Sequence, residues 1–329
     1  MMKGIVSLLI WAWLMASSFV VSGNMEAFAS PIATSVFRFV LALILIFCLL
    51  LVNWQRAGIN KAQALSDLFA SKVLSLQYVV ISGALVGFFI GLFVALKYTT
   101  PLKTSVLYTL VPLIGVCIAR VWLSERLNGS KLLGFILGSI AACLLLFNSQ
   151  TGITTNKAEL GLLSWNRGDL IFLAACVLLA IHVVSVQKWG RKLAPLSGAF
   201  MIMLFGALWL IPIALIWGEL DKVYWLAKGF WLNGLYLTVF ATLFTFILQQ
   251  RLVASVGANR LLAFSYSIPL WVAIYTAYES KTFDSLLNLG FMLGLGLLWL
   301  AFVLIEMRSR SNDEGLNKED MNKQAMEKA

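Results

Sequence analysis

The chain has 329 residues, 60% hydrophobic and only 12% charged, with a formal net charge of +10. Soluble domains carry about 25% charged residues, so this composition excludes a soluble globular protein and predicts an all-α polytopic membrane protein in contact with a lipid bilayer. The positive charge is spread over short loops and a tail, with no basic run interleaved with aromatics, which argues against a nucleic-acid partner. The four cysteines, Cys48, Cys117, Cys143 and Cys176, sit inside apolar runs without ligand-like spacing. They read as small buried hydrophobes, with no metal site and no cofactor implied.

Apolar runs of roughly 17–25 residues predict ten transmembrane helices, at 4–23, 32–53, 75–96, 102–123, 131–148, 168–188, 197–218, 230–250, 258–279 and 285–306. The first follows Lys3 and is similar to a signal peptide, but nine comparable segments after it favour a retained helix. The connection 54–74 is polar and predicted to be partly helical. Residues 149–167, rich in Thr, Asn and Ser, form the expected linker between a first unit, 1–148, and a second, 168–306; the polar tail 307–329 is expected to be disordered. With the N-terminus inside, seventeen lysines and arginines fall in cytoplasmic segments and seven outside, so both termini are expected in the cytoplasm.

The two halves repeat. Gly4 and Gly168 open the first and sixth helices, and Pro31 and Pro195 precede the second and seventh, both pairs 164 apart; Pro112 and Pro269 are 157 apart. Five helices is an odd number, so the second half enters the membrane from the other side, an inverted repeat. Pro112 and Pro269 each interrupt an apolar run that leads in through hydroxyl and aromatic side chains, Ser105, Tyr108 and Thr109 in one, Ser265, Tyr266 and Ser267 in the other. A proline inside a helix lacks an N–H and frees backbone carbonyls. Two such helix kinks at matching positions point to a transporter's binding site.

The runs IWAWLMASSFVVS, SVFRFVLALIL, SVLYTLVPLIGVCIARVWLSERL and GFILG, with weaker second-half copies, resemble the drug/metabolite transporter superfamily in its EamA-type branch, over roughly residues 4–306. The resemblance implies ten helices in two inverted five-helix repeats around a central solute cavity, in the cytoplasmic membrane of a bacterium. Two departures stand out. Trp11 and Trp13 in the first helix have no glycine beside them where the family has Trp-Gly, and the family's glutamate position, met by Glu125 after Pro112, holds Thr282 after Pro269.

Arg38 is the one strong charge well inside a predicted span, about 7 Å from its centre at 1.5 Å per residue. It reads either as an anchor for a substrate carboxylate or phosphate, or as a structural arginine snorkelling outward or bonded to freed carbonyls. His182, the only histidine, has Ser18 as its repeat mate; it reads either as a solute or proton-coupling residue or as a hydrogen bond between helices. Thr238, Thr242, Thr245 and Gln249 follow i, i+4, i+7, i+11 and so share one helical face, a solute-lining stripe or a packing seam. Gly83, Gly87 and Gly91 at four-residue spacing read as close helix packing, and Gly134, Gly138, Gly290 and Gly294 as scaffold or homodimer contacts. The expected solute-binding set is therefore Trp11, Ser18, Arg38, Tyr108, His182, Thr242, Thr245, Gln249 and Tyr266.

No carboxylate lies deep in a predicted span, and no GxxxxGK[ST] loop is present. The expected function is secondary transport of a small polar metabolite, an amino acid or amine, by alternating access, as export or exchange. The alternative is an exchanger for anionic solutes such as nucleotides; a membrane-embedded enzyme fits less well, for lack of clustered acids, bases or metal ligands.

Overall fold

The computed structural model describes residues 2–124, 129–149, 166–256, 261, 264–281, 283, 289, 292–297, 300, 301 and 303. The described residues form helices joined by short turns: α1 (Met2–Asn24), α2 (Pro31–Arg56), α3 (Lys61–Phe69), α4 (Lys72–Leu96), α5 (Pro101–Tyr108), α6 (Leu110–Trp122) and α7 (Gly129–Ser149) in the first half. The second half holds α8 (Arg167–Trp189), α9 (Pro195–Trp217), α10 (Lys228–Thr238), a π-helical segment (Val239–Phe244), α11 (Thr245–Val256) and α12 (Ile268–Ser280). Among the described residues, seven helical stretches of 22–26 residues are long and apolar enough to cross a bilayer, about 33–39 Å at 1.5 Å per residue. Beyond α12, the described positions from 289 to 303 are helical, where the tenth span is expected; the expected start of the ninth, at 258, and the linker and tail lie outside the described residues.

Helix starts follow the turn chemistry of the loops. Ser30 and Thr100 stand directly before Pro31 and Pro101, and their hydroxyls accept from the N–H groups of Ala33 and Lys103. The proline fixes the first helical φ and the hydroxyl satisfies an otherwise orphaned donor, a cap contributing about 1 kcal/mol. Asn60 caps α3, which is the helical part of the 54–74 connection. Asn166 and Asp169 form a reciprocal capping box at the start of α8.

The two halves run in opposite directions. Gly23, at the end of α1, lies against the Pro101 ring at the start of α5. Lys103 of α5 pairs with Asp169 of α8 at 3.0 Å, and Thr99 donates to the same carboxylate at 2.7 Å. Asn166 donates to Tyr98 O, just past the end of α4. The end of α1 thus shares a face of the bundle with the start of α8. On that same face Ser30, before α2, donates to Gly218 O, after α9. Lys188 to Trp122 O and Tyr78 to Gly190 O mark the opposite face. First helix against first helix, and second against second, the halves are antiparallel, which is the inverted repeat.

The core is built where the halves meet. α4 carries apolar side chains all round and buries twelve of its 25 residues, the pattern of a helix enclosed by others. Its glycines let neighbours approach: Gly83 faces Trp209, Gly87 faces Leu178 and Gly91 faces Ala175. The outer surface stays apolar, with Val121, Leu215 and Ile216 exposed, as expected of a face covered by lipid. Cys176 is buried, but Cys48 and Cys117 are exposed on that outer face. This corrects the reading of all four as buried: an apolar run does not reveal which of its sides meets lipid. The side chain of Cys143 lies outside the described residues.

Candidate functional site

The fourth span is broken at its centre. Pro112 has no N–H, so the carbonyl four residues back, on Tyr108, loses its helical partner; α5 ends at Tyr108 and α6 starts at Leu110. The same logic applies before α12, where Tyr266 and Ser267 form a turn ahead of Pro269. The two breaks converge on α7. Tyr266 donates to Phe135 O at 3.0 Å, and its ring lies over Gly138, whose missing side chain makes the room. The Ser139 hydroxyl donates to Phe135 O at 2.9 Å and lies 3.4 Å from Thr109 O, at the other break. Phe135 and Ser139 escaped the sequence reading, in one case because the acting group is a backbone carbonyl. The signal present was the adjacency of Ser139 to Gly138.

Tyr108 differs from its counterpart. Its ring meets Phe19 edge-on at 5.4 Å, and its hydroxyl makes no hydrogen bond to a described residue. Tyr266→Phe is therefore expected to destabilise the protein by about 1 kcal/mol, the usual net value of one buried hydrogen bond. Tyr108→Phe is expected to leave the thermal unfolding midpoint of the purified protein unchanged. An equal loss in both variants would contradict this asymmetry.

Arg38 is 4% exposed. Its Nε–H donates to Thr242 Oγ1 at 2.7 Å, its Nη2 to Ala241 O at 3.3 Å, and its guanidinium carbon stands 4.3 Å from the centre of the Phe89 ring. The π-helical segment makes this dock. Its wider turn exposes Ala241 O, and Thr242 donates five residues back to Leu237 O at 2.8 Å. Thr245 and Thr238 donate to Ala241 O and Gly234 O on their own helix. The i→i+5 turn interrupts the α-helical stripe expected through Thr242, Thr245 and Gln249, and Gln249 lies half-buried beyond it on α11.

The remaining expected residues lie on other contacts. His182 Nδ1 stands 2.9 Å from Ile81 O; a carbonyl only accepts, so Nδ1 carries a proton, and in the neutral ring Nε2 is left as an acceptor. His182 thereby joins α8 to α4, away from the Arg38 dock on the π segment. Ser18 donates to Met15 O within α1, while its neighbour Ser17 reaches Tyr236 on α10 at 2.6 Å. Trp11 is buried and Trp271, on α12, the helix that packs beside α1, is half-buried; the Nε1–H of each is unpartnered. The hydrogen bonds thus gather Arg38 with Thr242, and Thr109 with Tyr266 through α7; those of His182 and Ser18 join neither group, and Tyr108 packs on Phe19. Among the described residues, no cluster of His, Cys, Asp and Glu could hold a metal ion.

A family model, the EamA-like transporter family, matches residues 2–147 and again 166–307. The chain is similar to an uncharacterized transporter, YyaM, of Bacillus subtilis, at 25% identity over 241 residues, covering 73% of this chain and 74% of that protein. A solved crystal structure shares the fold, with a TM-score of 0.65 at 17% identity over 94% of this chain and 96% of its own. Two copies of one family unit, antiparallel to each other and each with an apolar helical set, leave one conclusion: the chain is a multi-pass membrane transporter and belongs to the EamA-like transporter family, within the drug/metabolite transporter superfamily.

Proposed function

We propose that the protein is a secondary transporter that carries a small polar metabolite, an amino acid or amine, across the cytoplasmic membrane of a bacterium, as exporter or exchanger. The halves divide at 149–167, both termini face the cytoplasm, and access alternates around the breaks near Pro112 and Pro269. The observation that carries this reading is the convergence of the two breaks, one from each half, on α7 through Tyr266, Ser139 and Thr109. Carbonyls freed at mid-depth are tolerated where protein or cavity water meets them, and a break is a place where a helix can pivot. The alternative, an exchanger of anionic solutes, relies on Arg38 as counter-charge, and two nitrogens of that guanidinium already donate to Thr242 and Ala241.

Purified protein reconstituted in liposomes tests the reading. Preloading with unlabelled amino acids and amines is expected to drive saturable counterflow of the labelled solute, reduced in Tyr108→Phe. Solute recovered covalently changed would indicate an enzyme, and counterflow restricted to nucleotides would favour the anion exchanger.

A further inference from the structure

At the end of α1 an open hollow of about 690 Å³ is lined by two carboxylates, Glu26 and Glu279, and two amides, Asn24 and Asn233, with no lysine or arginine in its wall among the described residues. Lys103, on the same face, is already paired with Asp169. Glu26 also borders a second, much smaller niche of about 10 Å³ between the end of α1, the start of α2 and the end of α4. Two hydroxyl residues, Ser22 and Thr34, line that niche. Each is only 2% exposed, and neither hydroxyl has a hydrogen-bond partner in the protein. Buried hydroxyls are costly to leave unpaired, by about 1–3 kcal/mol each, so a niche lined by two residues that carry them is suited to receive a donor.

We propose that this niche binds the primary ammonium group of a cationic solute, whose organic body rests in the adjoining hollow. The volume is that of one water-sized group. A primary ammonium carries three N–H donors, and the niche offers three acceptors: Ser22 Oγ, Thr34 Oγ1 and the Glu26 carboxylate. A neutral water would satisfy the hydroxyls but gains no charge pairing from Glu26, or from Glu279 in the adjoining hollow. The hollow's size suits an organic substituent rather than a bare metal cation. The assignment rests on the carrier reading and narrows its substrate to amines, captured first at the face where α1 ends.

The test uses full-length protein in detergent, titrated with n-butylammonium, tetramethylammonium or sodium chloride at constant ionic strength. Butylammonium is expected to bind saturably and raise the unfolding midpoint, and the other two are not. The Ser22→Ala/Thr34→Val double variant is expected to keep or raise the unliganded midpoint, since it removes two buried hydroxyls that have no protein partner. It is expected to bind butylammonium about tenfold more weakly or worse, charged hydrogen bonds being the strong ones. Glu26→Gln, on an exposed residue, supplies a second variant with the same expected loss. Equal protection by tetramethylammonium or sodium, or unchanged butylammonium affinity in both variants, overturns the site. Amino-acid counterflow with no butylammonium binding would remove this site and leave the carrier. Butylammonium binding with no flux of any solute would do the reverse.

Discussion

Thr242→Val is expected to destabilise the protein by about 3 kcal/mol, more than Arg38→Met, although the arginine is the larger and charged side chain. The two changes leave different debts in the buried dock. Valine keeps the shape of Thr242 but removes the acceptor of the Arg38 Nε–H. A buried donor left without a partner costs about 1–3 kcal/mol, and more when it is charged. Methionine removes the guanidinium itself, and nothing else is orphaned. Thr242 still donates to Leu237 O, and Ala241 O still accepts from Thr245. The lost Phe89 contact, about 1–2 kcal/mol for a desolvated cation over a ring, is set against relief of a guanidinium desolvation of several kcal/mol. Arg38→Met is therefore expected to be near neutral in thermal unfolding, and the double variant to recover most of the stability lost in Thr242→Val. If Arg38→Met alone were the more damaging change, the arginine would be held by groups beyond Thr242, Ala241 and Phe89. Transport by the stable Arg38→Met variant then separates a solute contact from a packing role, since a fall in counterflow at unchanged stability belongs to the solute.

The path of the chain was legible because bilayer physics is one-dimensional. A segment long and apolar enough to cross must be a helix, and the Ser-Pro and Thr-Pro pairs at Ser30–Pro31 and Thr100–Pro101 mark where two of them start. The break before Pro112 was legible for a local reason: a missing N–H acts on a carbonyl four residues away. Face was not legible, because residues on the lipid side and the protein side of such a helix have the same composition. Cys48 and Cys117 therefore read like Cys176.

The candidate site was only partly legible. The sequence places Arg38 and the threonines inside predicted spans, but their meeting joins positions 204 apart in the chain. The π-helical turn that prepares the dock leaves no mark either. Thr238, Thr242 and Thr245 have the same spacing whether the backbone bonds to the fourth or the fifth residue back. Acceptors such as Ala241 O and Phe135 O are backbone atoms, present at every position and selected only by the fold. Ser22 and Thr34 went unremarked because lone hydroxyls are routine in membrane helices. What distinguishes them is the absence of a partner, and that exists only in three dimensions.

Gly91→Ala is expected to cost about 2–3 kcal/mol, and Gly87→Ala, one turn away on the same face of α4, less than about 1 kcal/mol. Overpacking a close interface costs in proportion to what must move. A Cβ on Gly91 would lie 2.7 Å from the Cβ of Ala175, with the Ala175 Cα at 3.6 Å and Ile171 O at 3.7 Å behind it. No flexible end is available there, so only separation of α4 from α8 relieves the contact. A Cβ on Gly87 meets the Leu178 Cδ1 at 2.7 Å, but the next atom is 3.8 Å away, and a leucine terminus turns aside by changing rotamer. The difference reads out as separate shifts in the thermal unfolding midpoint of the purified variants. Because α4 belongs to the first half and α8 to the second, a wedge at Gly91 acts on the seam between the repeats. If the halves move against each other elsewhere and this seam stays fixed, Gly91→Ala lowers stability while the surviving folded protein keeps its counterflow rate. A change in the rate per folded molecule would place the moving surface at α4 and α8 instead.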